Sequence, residues 1–154
     1  MTQPLDPSEH GPELYRVMLQ FDAHVRRSAL PRTIQELVKV RASQVNGCAY
    51  CVDMHTKDAR SLGETEQRLY GLAVWRETPF YDARERAALA LTDALCAAPD
   101  HDALETARAD VARELSDEEQ VALVFTIGLI RSWNSIAVGL KSAVGAYEPE
   151  AAAA

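Results

Sequence analysis

Apolar residues recur at intervals of three and four positions along almost the whole chain, and this spacing restricts the fold more than any other feature. Such a stripe forms one face of an α-helix, whereas a half-buried strand alternates with a period of two. The first stripe contains Leu14, Val17, Met18, Phe21 and Val25. Alanine, the best helix former, occurs 25 times among 154 residues, and glycine and proline only seven times each. The sequence therefore predicts an all-α fold, a compact domain of about six to seven helices.

Capping and breaking residues predict where these helices begin and end. Asp82 with Glu85, and Ser116 with Glu119, have the spacing of a capping box at a helix start. The stretch Val121–Ile130 is rich in β-branched residues and by itself resembles a buried strand, but the helical pattern continues beyond it without a turn signal. The predicted helices cover approximately residues 12–27, 31–46, 49–62, 65–76, 82–97, 102–114 and 117–144.

No repeat, low-complexity tract or linker divides the chain, so one helical domain is predicted over residues 12–146. Residues 1–11 are rich in proline and are expected to form an irregular, flexible arm. Residues 147–154 end in a run of alanines and are expected to form a flexible tail. A chain of this length buries enough surface to fold without disulfide or metal staples.

The charge of the chain disfavours two classes of partner. The net charge is -7 and the isoelectric point about 5.1, whereas proteins that bind nucleic acid or anionic membranes usually present a basic face. The longest apolar run stops at Arg131, well short of the roughly twenty residues that a membrane span needs. The first ten residues have no basic start and no apolar stretch, so no secretory signal is predicted. A cytoplasmic protein without nucleic-acid or membrane partners is therefore expected.

Two of the three cysteines form a Cys-x-x-Cys motif in the segment VNGCAYCVDMHTKDAR. Cys48, Cys51 and His55 occupy positions i, i+3 and i+7, which share one face of a helix, and Asn46 with Gly47 predicts that this helix begins near Cys48. A helix N-terminus and a neighbouring imidazolium favour the thiolate form of a cysteine. Two cysteines at this spacing can close a disulfide, and a histidine can carry a proton near neutral pH. The segment therefore predicts a redox-active dithiol.

Other interpretations of the cysteines stay open at this point. A buried cysteine can be a small apolar core residue, and this is the interpretation of Cys96 on its apolar helix face. Cys48, Cys51 and His55 are also three potential zinc ligands, although the other histidines show no paired spacing. The usual covalent haem signature is missing because Val52 follows the second cysteine, and a thioredoxin fold is disfavoured because no strands are evident.

Given these residues, the chain resembles the alkylhydroperoxidase D-like branch of the carboxymuconolactone decarboxylase family. Redox-active members carry a glutamate, then eleven residues, then Cys-x-x-Cys-x-x-x-His, and the residues at that spacing here are Glu36, Cys48, Cys51 and His55. The resemblance extends over roughly residues 12–145. It implies an all-helical fold, assembly into homotrimers or homohexamers, and reduction of peroxides by a thiol cycle without a cofactor or a metal.

The resemblance also implies a role for each residue of the motif. Cys51 attacks the peroxide and becomes a sulfenic acid, and Cys48 resolves that acid as a disulfide. His55 and Glu36 form the proton relay. Founding members carry a histidine between the two cysteines, where this chain has Tyr50. A phenol is no base near neutral pH but can donate a hydrogen bond, so Tyr50 is a candidate accessory residue.

The predicted function is a thiol-dependent peroxidase that reduces alkyl hydroperoxides or hydrogen peroxide. Its disulfide would be cleared by a dithiol or protein reductant, which the sequence does not identify. A thiol-disulfide oxidoreductase or redox sensor with little peroxide turnover is the alternative within redox chemistry. A zinc-stabilised helical interaction module is the alternative from another class. A lactone decarboxylase is disfavoured, because members of the non-redox branch characteristically lack the cysteine pair.

Overall fold

The computed structural model describes residues 3–149, and this part of the chain is helical with no β-strand. Its regular structure consists of eight α-helices and a 3₁₀ segment, Leu72–Glu77, that directly follows α5. The helices are α1 (Pro7–His10), α2 (Pro12–Arg26), α3 (Arg32–Val45), α4 (Ala49–Ser61), α5 (Glu66–Gly71), α6 (Ala83–Cys96), α7 (His101–Glu114) and α8 (Asp117–Leu140). The predicted all-α class is confirmed. The alanine run of the predicted tail lies outside the described residues.

The two ends of the helical region differ from the prediction. The arm before residue 12, expected to be irregular, contains the short helix α1. The Asp6 carboxylate accepts the Ser8 amide at 2.8 Å, and Pro7 suits the first helical position. The last helix ends at Leu140 rather than near residue 144, because Lys141 adopts the left-handed conformation with φ 57° and ψ 47°.

The helix predicted over residues 65–76 is divided into two elements. Helix α5 begins after Thr65, whose side chain accepts the Arg68 amide at 3.3 Å, and it ends at Gly71. The chain then tightens into the 3₁₀ segment, in which Val74 leaves helical geometry with φ -122° and ψ 33°. This change of direction accompanies the burial of Trp75, which is 4% exposed. Tertiary packing of the indole therefore overrides the continuous helical pattern.

Helix α3 is the centre of the domain. Ile34 and Val38 pack with α6, α7 and α8, whereas Leu37 and Val40 pack with α4, α5, α6 and the 3₁₀ segment. Near its C-terminus, Ala42 joins a third apolar cluster that contains both motif cysteines and residues of α8. The helix is covered on nearly every side, because residues 34–40 are all buried. Its buried polar residues are Gln35, Glu36, Lys39 and Ser43.

Helices α2 and α8 leave apolar side chains exposed. Of the stripe predicted along α2, only Val25 is buried, and Leu14 is 78% exposed. The ring of Phe21 on α2 contacts the ring of Phe125 on α8 edge-on, so the two helices adjoin there. The exposed apolar residues of this α2–α8 face are Leu14, Val17, Val121, Val124, Phe125 and Val138.

Among the described residues, α8 is the one helix that is long and apolar enough to count as a candidate membrane span. Core helices of soluble proteins meet the same criteria, and 44% of its most apolar window is buried inside the domain. Leu123 and Ile127 pack in the cluster around the N-terminal half of α3, and Ile130 packs in the cluster of the motif cysteines. In this fold α8 is therefore a core helix with one exposed apolar side.

Candidate active site

The cysteine pair lies where the chain turns out of α3 and starts α4. Gly47 takes a φ of 68°, which glycine adopts without strain, and this turn follows the end of α3. Cys48 then caps α4, because its sulfur accepts the Cys51 amide at 3.3 Å. The predicted helix start near Cys48 is confirmed. The two sulfur atoms are 2.6 Å apart and both side chains are buried, so a disulfide can form with little movement of the backbone.

His55 lies one turn after Cys51 on α4 and is bonded to Glu36 on α3. Its Nδ1 is 2.8 Å from Oε2 of Glu36, and both side chains are buried. The tight turn between α3 and α4 makes the two helices neighbours, and this brings a residue twelve positions before Cys48 next to the imidazole. The structure thus places all four residues of the predicted motif, Glu36, Cys48, Cys51 and His55, where α3 meets α4.

Glu36 is the centre of a buried charge cluster. The ammonium of Lys39 lies 3.2 Å from Oε1 of Glu36, and the guanidinium of Arg32 lies 3.4 Å from the same atom. Lys39 is itself buried and also approaches the carboxylate of Asp22 at 3.9 Å. Buried charges persist in proteins when they are paired and hydrogen-bonded. Here His55 holds one carboxylate oxygen of Glu36 and the two cations hold the other.

Asp58 extends this cluster along α4. Its Oδ2 lies 3.8 Å from Nδ1 of His55, and its Oδ1 accepts a 2.7 Å hydrogen bond from the hydroxyl of Tyr147. The ammonium of Lys57 donates to the carbonyl oxygen of Tyr147 at 2.8 Å and pairs with Asp53 at 3.1 Å. Burial, followed by the neighbouring carboxylate, raises the pKa of Tyr147, so its hydroxyl keeps the proton that it donates. The segment after α8 therefore reaches the surroundings of the histidine.

These charges set the protonation of the site. Burial opposes ionisation of Glu36, but the hydrogen bond from His55 and the charge of Lys39 outweigh it and lower the pKa of Glu36 to about 2. Glu36 is therefore a carboxylate at neutral pH. Burial and the hydrogen bond with Cys48 raise the pKa of Cys51 to about 12. The resting Cys51 is a protonated thiol, because its removal from water outweighs the helix N-terminus, which favours the thiolate.

Cys51 and His55 both line a cavity of about 500 Å³. The rings of Tyr15 and Trp133 meet edge-on in its wall, with centroids 5.8 Å apart. The other large side chains of the wall come from α2, α4 and α8 and are mostly apolar: Leu19, Tyr50, Met54 and Ile136. The reacting groups of the motif, Cys51 and His55, thus face a largely apolar cavity.

The segment before α2 completes the wall of this cavity. Residues 4–8 line it, and the Leu5 amide donates to the carbonyl oxygen of Leu140 at 3.0 Å. Two carboxylates, those of Asp6 and Asp22, also line the cavity. Among its described lining residues there is no lysine or arginine. The cavity therefore offers apolar contacts and negative charge but no cationic group for an anionic ligand.

The sequence relatives of the chain decide its family. Residues 12–94 match the model of the carboxymuconolactone decarboxylase family. The chain belongs to this family. It is 41% identical over 145 residues to the uncharacterized protein YdfG of Bacillus subtilis strain 168, which covers 93% of this chain and 99% of YdfG. It is also 30% identical over 74 residues to the uncharacterized protein YnjA of Escherichia coli strain K12. This alignment covers 48% of this chain and 41% of YnjA.

Solved structures show the same fold as this carboxymuconolactone decarboxylase family member. ATU0492 of Agrobacterium tumefaciens is described as a protein of unknown function and a candidate antioxidant defence protein AhpD. It matches with a TM-score of 0.89 at 36% identity, over 95% of this chain and 100% of its own. The debrominase Bmp8 matches with a TM-score of 0.78 at 19% identity, over 90% of this chain and 74% of its own, which is a likeness of fold alone. The predicted alkylhydroperoxidase D-like relationship is confirmed.

The zinc site considered from the sequence consists of Cys48, Cys51 and His55. The structure brings a different set of potential metal ligands together. Among the described residues, the potential ligand atoms of Glu36, His55 and Asp58 lie within 4.8 Å of one another. Cys48 and Cys51 are not in this group, so the alternative zinc site with His55 has no support. The two carboxylates already have partners, cations on the first and a hydroxyl on the second.

Several residues around the motif were not predicted from the sequence. Lys39 lies one helical turn after Glu36, a local signal that was available, because i and i+3 positions are neighbours on a helix. Asp58 likewise follows the motif histidine by three positions. Tyr147 gave no local signal, because the fold brings it to the site from more than 75 positions away in the chain. Tertiary packing supplies these parts of the site.

Tyr50 and Cys96 flank the cysteine pair. Tyr50 lines the cavity, and burial raises its pKa, so it is a neutral hydrogen-bond donor rather than a base. Cys96 packs against the apolar cluster that holds the motif cysteines and against the neighbouring core cluster. The interpretation of Cys96 as a packing residue agrees with this position.

Proposed function

We propose that this protein is a thiol-dependent peroxidase that reduces alkyl hydroperoxides or hydrogen peroxide. The observation that carries the proposal is one cavity that is lined by a cysteine of the sulfur pair and by the histidine of a histidine–carboxylate couple. Cys51 and His55 line the cavity, the sulfurs of Cys48 and Cys51 are 2.6 Å apart, and Glu36 holds the imidazole at 2.8 Å. These are the parts that oxidation of a thiol and its resolution as a disulfide require.

The first step needs a base, because the resting Cys51 is protonated. Glu36 is ionised and can only accept, so Nδ1 of His55 carries a proton and Nε2 is the basic nitrogen. Nε2 takes the Cys51 proton as the sulfur attacks one peroxide oxygen. An S–O bond forms, the O–O bond breaks, and the departing alkoxide takes the proton from His55. The products are an alcohol and the sulfenic acid of Cys51.

The second step is resolution by Cys48. Its sulfur attacks the sulfur of the Cys51 sulfenic acid, the S–S bond forms, the S–O bond breaks, and the hydroxide leaves as water with the Cys48 proton. The contact between the two sulfurs supports a fast step, since no large movement precedes it. An external dithiol that is small enough to enter the cavity then supplies two electrons and restores both cysteines. We place this cycle in the cytoplasm, where such reductants maintain thiols.

The burial of the pair supports a small substrate over direct exchange with a protein disulfide. Cys48 is 0% exposed and Cys51 3% exposed, so a folded partner reaches neither sulfur directly. The cavity of about 500 Å³ admits an organic hydroperoxide, and its apolar wall suits an uncharged alkyl or aryl group. The lack of a cationic lining residue among those described disfavours a peroxide that carries a carboxylate.

We also propose that the protein assembles into homotrimers or homohexamers. The α2–α8 face supports this assembly, because two adjoining helices leave six large apolar side chains exposed. Large exposed apolar surface is typical of a subunit interface. Light scattering coupled to size-exclusion chromatography measures the mass, and an elution as a 17.0 kDa monomer would contradict the assembly.

The function is tested by peroxide consumption in the presence of dithiothreitol, with cumene hydroperoxide and hydrogen peroxide as substrates. Cys51→Ser is expected to abolish consumption. Without dithiothreitol, Cys48→Ser is expected to consume one equivalent of peroxide, with the Cys51 sulfenic acid trapped by dimedone and detected by mass spectrometry. Cys96→Ser is the matched control and keeps both the activity and a Cys48–Cys51 disulfide. A Cys51→Ser protein that still consumes peroxide would refute the assignment.

A further inference from the structure

Two carboxylates approach the same nitrogen of His55. Oε2 of Glu36 lies 2.8 Å from Nδ1, which is hydrogen-bond distance, whereas Oδ2 of Asp58 lies 3.8 Å from Nδ1, which is too far. Nδ1 carries a single proton, so the two carboxylates compete for it. The mechanism above uses the bond with Glu36, which leaves Nε2 as the basic nitrogen. A group that holds Asp58 back therefore preserves this arrangement.

The hydroxyl of Tyr147 holds the competing carboxylate. It donates to Oδ1 of Asp58 at 2.7 Å, and within residues 3–149 no other group donates a hydrogen bond to this carboxylate. Asp58 is 5% exposed, so water has little access to it. A buried carboxylate without a donor is costly. If the hydroxyl of Tyr147 is removed, the N–H group that the structure places beside Asp58 is Nδ1 of His55, which is already bonded to Glu36.

Helix α4 fixes the position of that hydroxyl. The ammonium of Lys57 donates to the carbonyl oxygens of Tyr147 at 2.8 Å and of Gly145 at 3.4 Å. Asp58, the next residue of α4, accepts from the side chain of Tyr147. The backbone and the side chain of Tyr147 are thus both anchored to the helix that carries His55. Tyr147 is not among the described residues that line the catalytic cavity, so it acts through Asp58 and does not touch the substrate.

We propose that Tyr147 is a positioning residue, which holds Asp58 away from Nδ1 of His55 and leaves the Nδ1 proton to Glu36. In this arrangement a single hydrogen bond sets the direction of the imidazole ring. A proton shared between two carboxylates would turn the ring, and a misplacement of about 1 Å can slow a reaction on the order of 100-fold. The proposal rests on the proposed function for the role of His55 as a base, but the environment of the Nδ1 proton can be measured without turnover.

Tyr147→Phe removes only the hydroxyl and tests the proposal in the full chain. The kcat for cumene hydroperoxide is expected to fall about 10-fold, because the ring of His55 is displaced. The KM is expected to stay unchanged, because Tyr147 does not line the cavity. Tyr70→Phe is the matched control, since Tyr70 is 71% exposed and its hydroxyl donates to Glu66 at the surface of α5. Its kcat should equal that of the parent protein.

The double variant Tyr147→Phe with Asp58→Asn separates positioning from stability. A neutral amide attracts the Nδ1 proton less than a carboxylate does, so kcat is expected to recover although the hydroxyl of Tyr147 stays absent. Proton NMR gives a second readout that needs no substrate. His55 is buried and the other three histidines are exposed, so its Nδ1 proton is the one protected from exchange with water. The resonance of this proton should move in Tyr147→Phe and return in the double variant.

A purely structural role of Tyr147 predicts a different pattern. Tyr147→Phe would then lower the urea midpoint but leave kcat and the Nδ1 resonance where they were, and the proposal would be wrong. A loss of kcat that Asp58→Asn does not restore would overturn it as well, because the effect would not pass through the carboxylate. In a chain that consumes no peroxide, the resonance decides alone. A shift in Tyr147→Phe that the double variant reverses would then support this inference while refuting the proposed function.

Discussion

Replacing the buried carboxylate of Glu36 by an amide tests the electrostatic design of the site. Glu36→Gln keeps the shape of the side chain and one acceptor for His55, but it removes the negative charge. Lys39, which is 2% exposed, then keeps only the carboxylate of Asp22 at 3.9 Å as an ionic partner. A buried cation that loses its partner is strongly destabilising. The free energy of unfolding is therefore expected to fall.

The pKa of Glu36 gives the size of the effect. It lies at about 2 instead of the ordinary 4.5. At 1.36 kcal/mol for each pKa unit, this difference stabilises the fold by roughly 3 kcal/mol at neutral pH. The estimate agrees with the cost of about 3–5 kcal/mol for breaking a buried ion pair from one side. Glu36→Gln should lose stability of this order at pH 7.

The sign of the pH dependence follows from the same values. A carboxylate whose folded pKa is lowered contributes its full stability above about pH 4.5 and loses it as the pH falls toward 2. The gap between the parent protein and Glu36→Gln should therefore be constant from pH 7 to pH 5. It should shrink to about 1.5 kcal/mol at pH 3. Urea denaturation followed by circular dichroism at pH 7, 5 and 3 measures the gap.

Two outcomes would contradict this reasoning. A loss below about 1 kcal/mol at pH 7 would mean that the carboxylate is not paired as the structure places it. A gap that does not change down to pH 3 would mean that packing, not charge, causes the loss. Glu105→Gln is the matched control, because Glu105 is exposed and, within residues 3–149, pairs only with Arg108 on the surface of α7. Its stability should be unchanged at all three pH values.

Three further predictions concern the cavity, the C-terminal segment and a helix cap. Trp133→Ala should raise the KM for cumene hydroperoxide by ~10-fold, because the indole forms part of the apolar wall, while hydrogen peroxide turnover stays near the parent value. Steady-state kinetics with both substrates measure this difference, and an equal loss of activity toward the two peroxides would contradict the role of Trp133. Tyr147→Phe should lower the free energy of unfolding by about 1–2 kcal/mol, because the buried carboxylate of Asp58 loses its 2.7 Å donor; an unchanged urea midpoint would refute that contact. Asp82→Ala should cost about 1 kcal/mol in the same assay, because it removes the capping box with Glu85; an unchanged urea midpoint would contradict this role of the cap.

The sequence predicted the parts of the fold and the site that depend on local spacing. The helical period of the apolar residues predicted the all-α fold class. Gly47 predicted the start of α4 near Cys48, because glycine tolerates the positive φ of the turn that follows α3. Cys51 and His55 are one turn apart on the same helix, so their neighbourhood follows from helix geometry. Glu36 required the resemblance to a family, since nothing local distinguishes it from a solvated charge.

Other features depend on tertiary contacts, which local sequence spacing does not predict. The burial that raises the pKa of Cys51 comes from residues of α3 and α8, so the motif alone suggested a thiolate where the structure holds a thiol. The apolar stripe of α2 predicted a helix but not that Leu14 and Val17 of this stripe stay exposed. Lys141 ended α8 early through a left-handed residue that is not glycine, which no propensity predicts.

The cap of α4 gives the thiol chemistry a consequence beyond the cavity. In the dithiol form, the sulfur of Cys48 accepts the Cys51 amide and holds the first turn of the helix. Once that sulfur is bonded to Cys51, disulfide geometry dictates its position, and it is a weaker acceptor. The amide of Cys51 should then exchange its hydrogen faster in the oxidised protein than in the reduced one. The order of the first turn of α4 therefore depends on whether Cys48 and Cys51 are oxidised or reduced.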